Sequence, residues 1–420
     1  MKNPAVPADT VRRKKLAILG CGILLYFLTC MAKVLIPAVI FDDLIKCGLD
    51  SRMIASTGAF FMYAYAASQL FAGVFSNRYG GVRILFYGGT LFAIGTIGFP
   101  WVKFYPLMLA CRVITGLGAG TVFLGVVKLI SDLFSEKFGV VLGTIMLVTY
   151  FGPACGTTPM VLLVKAIGWQ WAMAVPGIAA LFGTTLIVTF MKGTLKPVVR
   201  GETLQPLFIM FRNREMWLLC MTAPVTFGAY YIISSQIGIK SLADHCGLSS
   251  ERASAIIMAL TVVVAVTNVA GNLGLKLCGN RRKPMTLITY LFTFSGAVIA
   301  YFAFKYTTSA WMVAAGFAVV AMSAGFFPLY STVAKEVNPP EQTGLAVALL
   351  NFWCFVFIAL FQNISGHILQ SFTAAGSTVF QAQAYCAVFI FIAAVSIYAV
   401  FTGFFVRETR PEKNGSLLKK

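Results

Sequence analysis

The sequence predicts an all-α integral membrane protein: twelve transmembrane helices in two six-helix repeats, with both termini on the cytoplasmic side. Three observations carry this expectation. Hydrophobic residues make up 59% of the 420-residue chain and charged residues only 11%, with a mean hydropathy of +0.83, a composition outside the soluble globular range. Apolar stretches of about 20 residues, long enough to cross a hydrocarbon core of roughly 30 Å as a helix, recur along the whole chain; a β-barrel shows short alternating strands instead. The basic residues alternate in abundance from one loop to the next.

The first span, 16–41, is the run LAILGCGILLYFLTCMAKVLIPAVIF. It is too long for the core of a cleaved signal and lacks a small-residue cleavage site, so it is expected to remain as a helix. Spans follow at 54–75, 84–103, 106–130, 139–164 and 169–191, which makes 1–191 the N-terminal bundle. Residues 192–215, with Gly, Pro and several cations, read as a cytoplasmic linker. The C-terminal bundle, 216–406, has spans at 216–242, 251–274, 284–304, 308–333, 343–367 and 382–406, and 407–420 is a cytoplasmic tail.

One set of loops carries Arg12, Arg13, Lys14, Lys15, Arg78, Arg83, Lys192, Lys196, Arg200, Arg212, Arg214, Lys276, Arg281, Arg282, Lys283 and the tail cations; the other has only Lys46, Arg52, Lys103, Lys165, Lys240, Arg252 and Lys305. The rich side is cytoplasmic by the positive-inside rule. The net charge of +19 therefore reports topology, and no nucleic-acid partner is expected, since the cations form no single basic face. Ten cysteines without a C-x-x-C pair and two scattered histidines, His245 and His367, leave no metal or redox motif and no cofactor.

The halves repeat one another. KCGLDSRMIASTGAFF before the second span matches HCGLSSERASAIIMAL before the eighth, aligning Cys47 with Cys246, and GVFSNRYGGVR after the second span aligns with GNLGLKLCGNR after the eighth. Repeated bundles of this kind are typical of secondary transporters with a midplane site.

GVFSNRYGGVR resembles the cytoplasmic loop motif G-x-x-x-D-R-x-G-R of the major facilitator superfamily, and the resemblance covers almost the whole chain. Gly73, Arg78 and Gly80 match, Arg83 closes the phrase, and Asn77 stands where the family has Asp. CRVITGLGAG is similar to the family's R-x-x-x-G-x-G pattern. GTIMLVTYFGPACG, with Gly152 and Pro153, partly matches the antiporter signature, with Val148 and Thr157 at two glycine positions. FMYAYAASQLFAG, GWQWAMAVPGIAAL and KEVNPPEQTGLAVALLN look like the anion:cation symporter and organophosphate antiporter families, in which a basic residue often stands in the first helix, as Lys33 does. The resemblance implies a monomeric multi-pass carrier of the cell membrane that moves a small organic anion, of the carboxylate or sugar phosphate class, by alternating access.

The residues themselves point the same way. Lys33 lies roughly 25 Å into the first span and Arg112 roughly 9 Å below the outer end of the fourth, which places both at similar depth. No acid lies well inside a span: Asp42 and Asp43 end the first and Asp132 follows the fourth. Two buried cations without a counterion are relieved by a bound anion, which makes Lys33 the principal candidate ligand and Arg112 a second. The alternative is that Lys33 snorkels toward Asp42 while Arg112 bonds helix carbonyls. Tyr63, Tyr65, Gln69, Tyr150, Gln236 and Asn351 are candidate neutral ligands, each equally able to serve helix packing. Gly116, Gly118 and Gly120 suit close helix approach. The lack of a buried acid favours exchange of anions or facilitated movement over proton symport, with sodium or another coupling ion left open. Cys47 and Cys246 are either a disulfide or a symmetric pair of free thiols. The rival readings are a carrier or exporter of neutral or cationic solutes and a transporter-like membrane receptor. An enzyme is least expected, because no nucleophile, metal cluster or acid–base pair lies at depth.

Overall fold

The computed structural model describes residues 8–70, 79–137, 141, 142, 144, 145, 151–192, 194, 195, 213–339, 343–372 and 379–409. Every regular element among them is helical. In chain order these are α1 (Ala8–Leu35), α2 (Phe41–Lys46), α3 (Ser51–Leu70), α4 (Gly81–Gly98), α5 (Tyr105–Leu133), α6 (Phe151–Cys155), α7 (Thr158–Ile167), α8 (Trp169–Met191), α9 (Arg214–Thr222), α10 (Pro224–Ile232), α11 (Gly238–Cys246), α12 (Ser250–Leu277), α13 (Arg282–Tyr306), α14 (Ala310–Ala324), α15 (Phe327–Glu336), α16 (Thr343–Ser371) and α17 (Ala382–Gly403), with short 3₁₀ turns at Phe99–Trp101 and Ser135–Lys137. Ten helical stretches among the described residues are long and apolar enough to cross a membrane; Phe151–Ile167 is a shorter apolar helix. α3, at the expected second span, is 20 residues long.

Prolines account for where the helices depart from the expected spans. The first span was expected to run to 41, but α1 ends at Leu35, because the residue before Pro37 is disfavoured in the helical region. The chain then turns and restarts as α2. The seventh span, expected to end at 242, continues to Cys246. Within it Pro224 opens α10 at a first-turn position, and Ile233–Ile237 forms a π-helical turn, the kind of widened turn that marks functional helices. Pro328 likewise opens α15 after α14 stops at Ala324.

One kind of close helix contact occurs in both parts of the chain. A Cβ on Gly88 would stand 2.9 Å from the Val122 amide, and one on Gly118 would collide with the Phe92 amide, so α4 and α5 touch backbone to backbone. In the second set, Gly296 would meet the Val320 amide at 2.6 Å and Gly316 the Ala300 amide at 2.7 Å, so α13 and α14 repeat the contact. Gly116 and Gly120 do the same work between α5 and α3, against the Phe61 carbonyl and Ser68 Oγ.

Charged contacts gather at the end of the bundle where α1 begins and α17 ends, the proximal end. Arg282 forks onto Glu336, with Nη2–Oε1 at 3.0 Å and Nε–Oε2 at 3.3 Å, while Glu408 accepts the Arg282 amide at 2.7 Å. In the N-terminal helices Arg83 and Asp132 line one recess with Lys15 and Gly80. Gly80 itself has φ 76° ahead of α4, a left-handed backbone suited to glycine. Gly73, Asn77 and Arg78 lie outside the described residues, as does residue 150 and most of the expected linker.

α3 and α16 run against each other as the main seam between the two sets. Along it Gln370 Oε1 accepts the Ser51 amide (3.1 Å), Ser56 bonds Asn363 (3.2 Å), and Asn351 Nδ2 donates to Gln69 Oε1 (3.2 Å).

Candidate functional site

Lys33 stands in the last turn of α1, where the unsatisfied helix carbonyls and the dipole favour a cation. Its side chain is 7% exposed. Nζ donates to the Tyr65 hydroxyl at 3.2 Å and lies 4.3 Å from the Tyr65 ring centre and 5.0 Å from that of Phe355. Tyr65 comes from α3 and Phe355 from α16, and their ring centres are 4.3 Å apart, so the ammonium rests on an aromatic pair that joins the two helix sets. Tyr231 of α10 is within electrostatic reach of it. Among the described residues Lys33 has no carboxylate partner, and the expected alternative, Asp42, is engaged by Lys240.

One turn along the seam, Gln69 pairs with Asn351. Tyr65 and Gln69 are four residues apart on α3, as Asn351 and Phe355 are on α16, so the aromatic and the amide contacts form two successive rungs. Gln69 is 3% exposed, and with its Oε1 taken by Asn351, its Nε2 has no hydrogen-bond partner among the described residues. Tyr63 is the weak acceptor of Asn363 Nδ2 at 3.5 Å, on the same helix pair. Thus Lys33, Tyr65, Gln69 and Asn351, singled out in the sequence, converge, and Phe355 and Tyr231 join them without having been singled out.

Arg112 has a different setting. It is 3% exposed, its Nε donates to the Thr57 carbonyl at 2.9 Å, and its guanidinium covers the Phe61 ring at 4.6 Å and the Phe99 ring at 5.8 Å. The carbonyl bond is the one expected of a helix-packing arginine, while Nη2 is buried without a partner among the described residues. The Phe61 and Tyr65 rings, 6.3 Å apart, carry the two cations side by side along α3.

Gln236 lies elsewhere again, on the π-helical turn. Its Nε2 donates to the Gln362 carbonyl (3.2 Å) and Ser365 Oγ donates to its Oε1 (2.8 Å), while Gln362 Nε2 donates to Ser235 Oγ (2.8 Å). The same turn accepts the Ala38 amide on the Ser235 carbonyl at 3.1 Å. Gly152 of α6 lets that helix close on α1, since a Cβ there would stand 2.8 Å from the Phe27 carbonyl and 2.9 Å from Cys30 Cβ; Pro153 follows it in the same short helix.

The sequence reading missed a charge cluster at the distal end, away from the termini. Lys240, counted there among the loop cations, is 6% exposed and binds both Asp42 of α2 and Asp244 of α11 at 2.7 Å. Asp244 also accepts the Tyr385 hydroxyl (2.9 Å) and the Phe380 amide (3.0 Å). Asp244, which an expected span end at 242 left outside the helix, lies in its last turn, two residues before Cys246, with its side chain 5% exposed. The Lys240–Asp244 spacing of four residues was the signal available. Lys165 of α7 and Glu251 of α12 form a second ion pair between the two sets at this end. Cys47 and Cys246 are both free thiols.

The Major Facilitator Superfamily model matches residues 18–362 and 225–420. Among curated relatives, the chain is 29% identical over 177 residues to the choline/ethanolamine transporter FLVCR1 of Felis catus, covering 41% of this chain and 30% of that one. It is 26% identical over 221 residues to the multidrug resistance protein MdtL of Escherichia coli, covering 49% and 53%. The matched part thus spans about a third of the first relative and about half of the second. Solved structures of similar shape include the nucleoside transporter NupG (TM-score 0.75, 14% identity, 94% of this chain and 99% of that one). The D-xylose-proton symporter (0.70, 17%, 94% and 98%) and a bacterial homologue of the lysosomal transporter Spinster in an inward-facing, unoccupied conformation (0.72, 16%, 96% and 99%) share the fold as well.

Proposed function

The chain belongs to the Major Facilitator Superfamily, and from that premise we propose that this membrane transporter carries a small organic anion, with Lys33 as its charge ligand. Its family makes it a multi-pass membrane carrier and not an enzyme. The observation that supports an anionic cargo is a buried ammonium with aromatic and phenolic neighbours and no carboxylate among the described residues. A cation without a counterion at such depth is costly, and a carboxylate or phosphate supplies the missing charge. Arg112, with its unpartnered Nη2, adds positive potential to the same side of α3 and is the second candidate contact. Tyr65, Gln69 and Asn351 are the neutral ligands this reading favours; Tyr63 and Gln236 serve the seam and the π turn.

The topology belongs to the same reading: twelve spans, counting α3 and Phe151–Ile167 with the ten long helices, termini in the cytoplasm, and two bundles divided by 192–215. The distal end is then the outer one. It is closed by Lys240–Asp42, Lys165–Glu251 and the Ala38–Ser235 bond, all of which join the two bundles. Opening it while closing the opposite end is the rocking motion of alternating access. With the enclosed acid near it, Asp244, committed to Lys240, anion exchange or facilitated movement is favoured over proton symport.

A second reading, transport of an organic cation, draws on the aromatic pair, since such faces also hold ammonium groups, and on the choline/ethanolamine transporter among the relatives. Here Lys33 already lies over those faces and repels a second cation. Thermal melts of the purified protein with organic acids, sugar phosphates, neutral sugars and choline, repeated on Lys33→Ala, separate the two. An anion that stabilises the wild type and not the variant is the expected result. Stabilisation by choline, stronger in Lys33→Ala, reverses the assignment.

A further inference from the structure

Resting on the alternating-access reading above, we infer that Asp244 is the positioning residue of the distal closure: by holding Lys240 and Phe380 at once, it makes a charged and an aromatic contact to α2 engage and release together. The two contacts land on neighbouring residues in the first turn of α2. Lys240 Nζ meets Asp42 Oδ1 at 2.7 Å, and the Phe380 ring meets Phe41 edge to face, with centres 5.7 Å apart and planes at 82°. Phe41 and Phe380 are enclosed, at 2% and 3% exposure, whereas the Asp42 carboxylate beside them is half open to solvent.

Asp244 fastens the near side of both contacts. Its Oδ1 takes the Lys240 ammonium at 2.7 Å from one turn earlier on the same helix. Its Oδ2 accepts the Phe380 amide at 3.0 Å and the Tyr385 hydroxyl at 2.9 Å. Phe380 stands two residues before α17, outside the reach of the helix's own carbonyls, so its amide takes its partner from this side chain. Tyr385, fully enclosed in the first turn of α17, pins the same oxygen. A carboxylate has two acceptor oxygens and serves both branches; the isosteric amide has one, so Asp244→Asn gives up one branch. Lys240 Nζ also lies 5.8 Å from the Phe380 ring centre, so the branches touch and the loss of one loosens the other.

The test is hydrogen exchange of the full chain in detergent, read by mass spectrometry on peptides covering 36–41, which hold the Ala38 amide that donates to the Ser235 carbonyl across the closure. Asp42→Asn is expected to raise this exchange about threefold, the worth of an exposed ion pair, and Asp244→Asn about tenfold, because both contacts go. Adding Asp42→Asn to Asp244→Asn is expected to bring no further rise. Tyr385→Phe, which removes one bond and keeps the ring, is expected to fall between wild type and Asp244→Asn and to diminish the Asp42→Asn effect, a second route to the answer should Asp244→Asn not fold. An acid that serves only its own helix speeds exchange within 238–246 and leaves Ala38 at the wild-type rate. That result, or an undiminished Asp42→Asn effect in both backgrounds, overturns the positioning role and leaves the distal closure standing. If Asp42→Asn and Phe380→Leu both leave Ala38 exchange unchanged, the closure itself fails, and with it the alternating-access reading of this end.

Discussion

Two buried lysines, Lys33 on the first helix and Lys240 on the stretch that opens the second set, are almost equally hidden, at 7% and 6% exposure. Their surroundings are opposite. Lys240 has Asp42 and Asp244 at 2.7 Å; Lys33 has a phenol and two ring faces. The difference teaches how to sort buried charge: a cation answered by carboxylates from its own chain holds the fold together, while one left unanswered is available to something else.

The sharpest way to break the comparison is to remove each charge and watch the sign of the change in stability. Lys240→Met strands Asp244, whose side chain is 5% exposed, and is expected to cost about 3–5 kcal/mol; adding Asp244→Asn to it restores most of that loss. Lys33→Met takes away an uncompensated charge, so melting without ligand is expected to improve by about 1 kcal/mol, while anion binding is lost. Melting curves of the three variants check both statements, and the same sign for both single variants would erase the distinction.

The smallest effect calibrates the others with a carboxylate that serves neither lysine. Partial burial works to raise the Asp50 carboxyl, but the Met53 amide at 2.8 Å and the Arg52 guanidinium at 2.9 Å outweigh it and leave the group below its ordinary value. A depressed carboxylate contributes stability at neutral pH that is lost as the pH falls from about 4 through the folded-state value. Asp50→Ala is expected to cost about 1 kcal/mol at pH 7 as a lost helix cap, and the gap to wild type should close in melts taken toward pH 3.

The long helices were legible because apolar runs of membrane-crossing length leave a direct mark in the sequence. Helix ends were less so: Pro37 stops α1 six residues short of the apolar run, because local backbone sterics and hydropathy give different answers there. At the site, Lys33 stood out by its depth and Gln69 and Asn351 by their polarity in apolar runs. Phe355 could not, as one of 37 phenylalanines in the chain; only the crossing of α3 and α16 selects it. Asp244 was hidden by a boundary error of four residues, although its spacing from Lys240 was in view.

The distal ion pairs are unequally sheltered. Lys240 is enclosed, but its partner Asp42 is 51% exposed, and Lys165 and Glu251 are 55% and 32% exposed. Dissolved ions screen such exposed charges, over about 8 Å at 0.15 M and about 3 Å at 1 M, while enclosed groups feel little of it. The salinity of the surrounding medium thus acts on these pairs: brine weakens them, fresh water strengthens them, and the contacts of Lys33 are shielded from both.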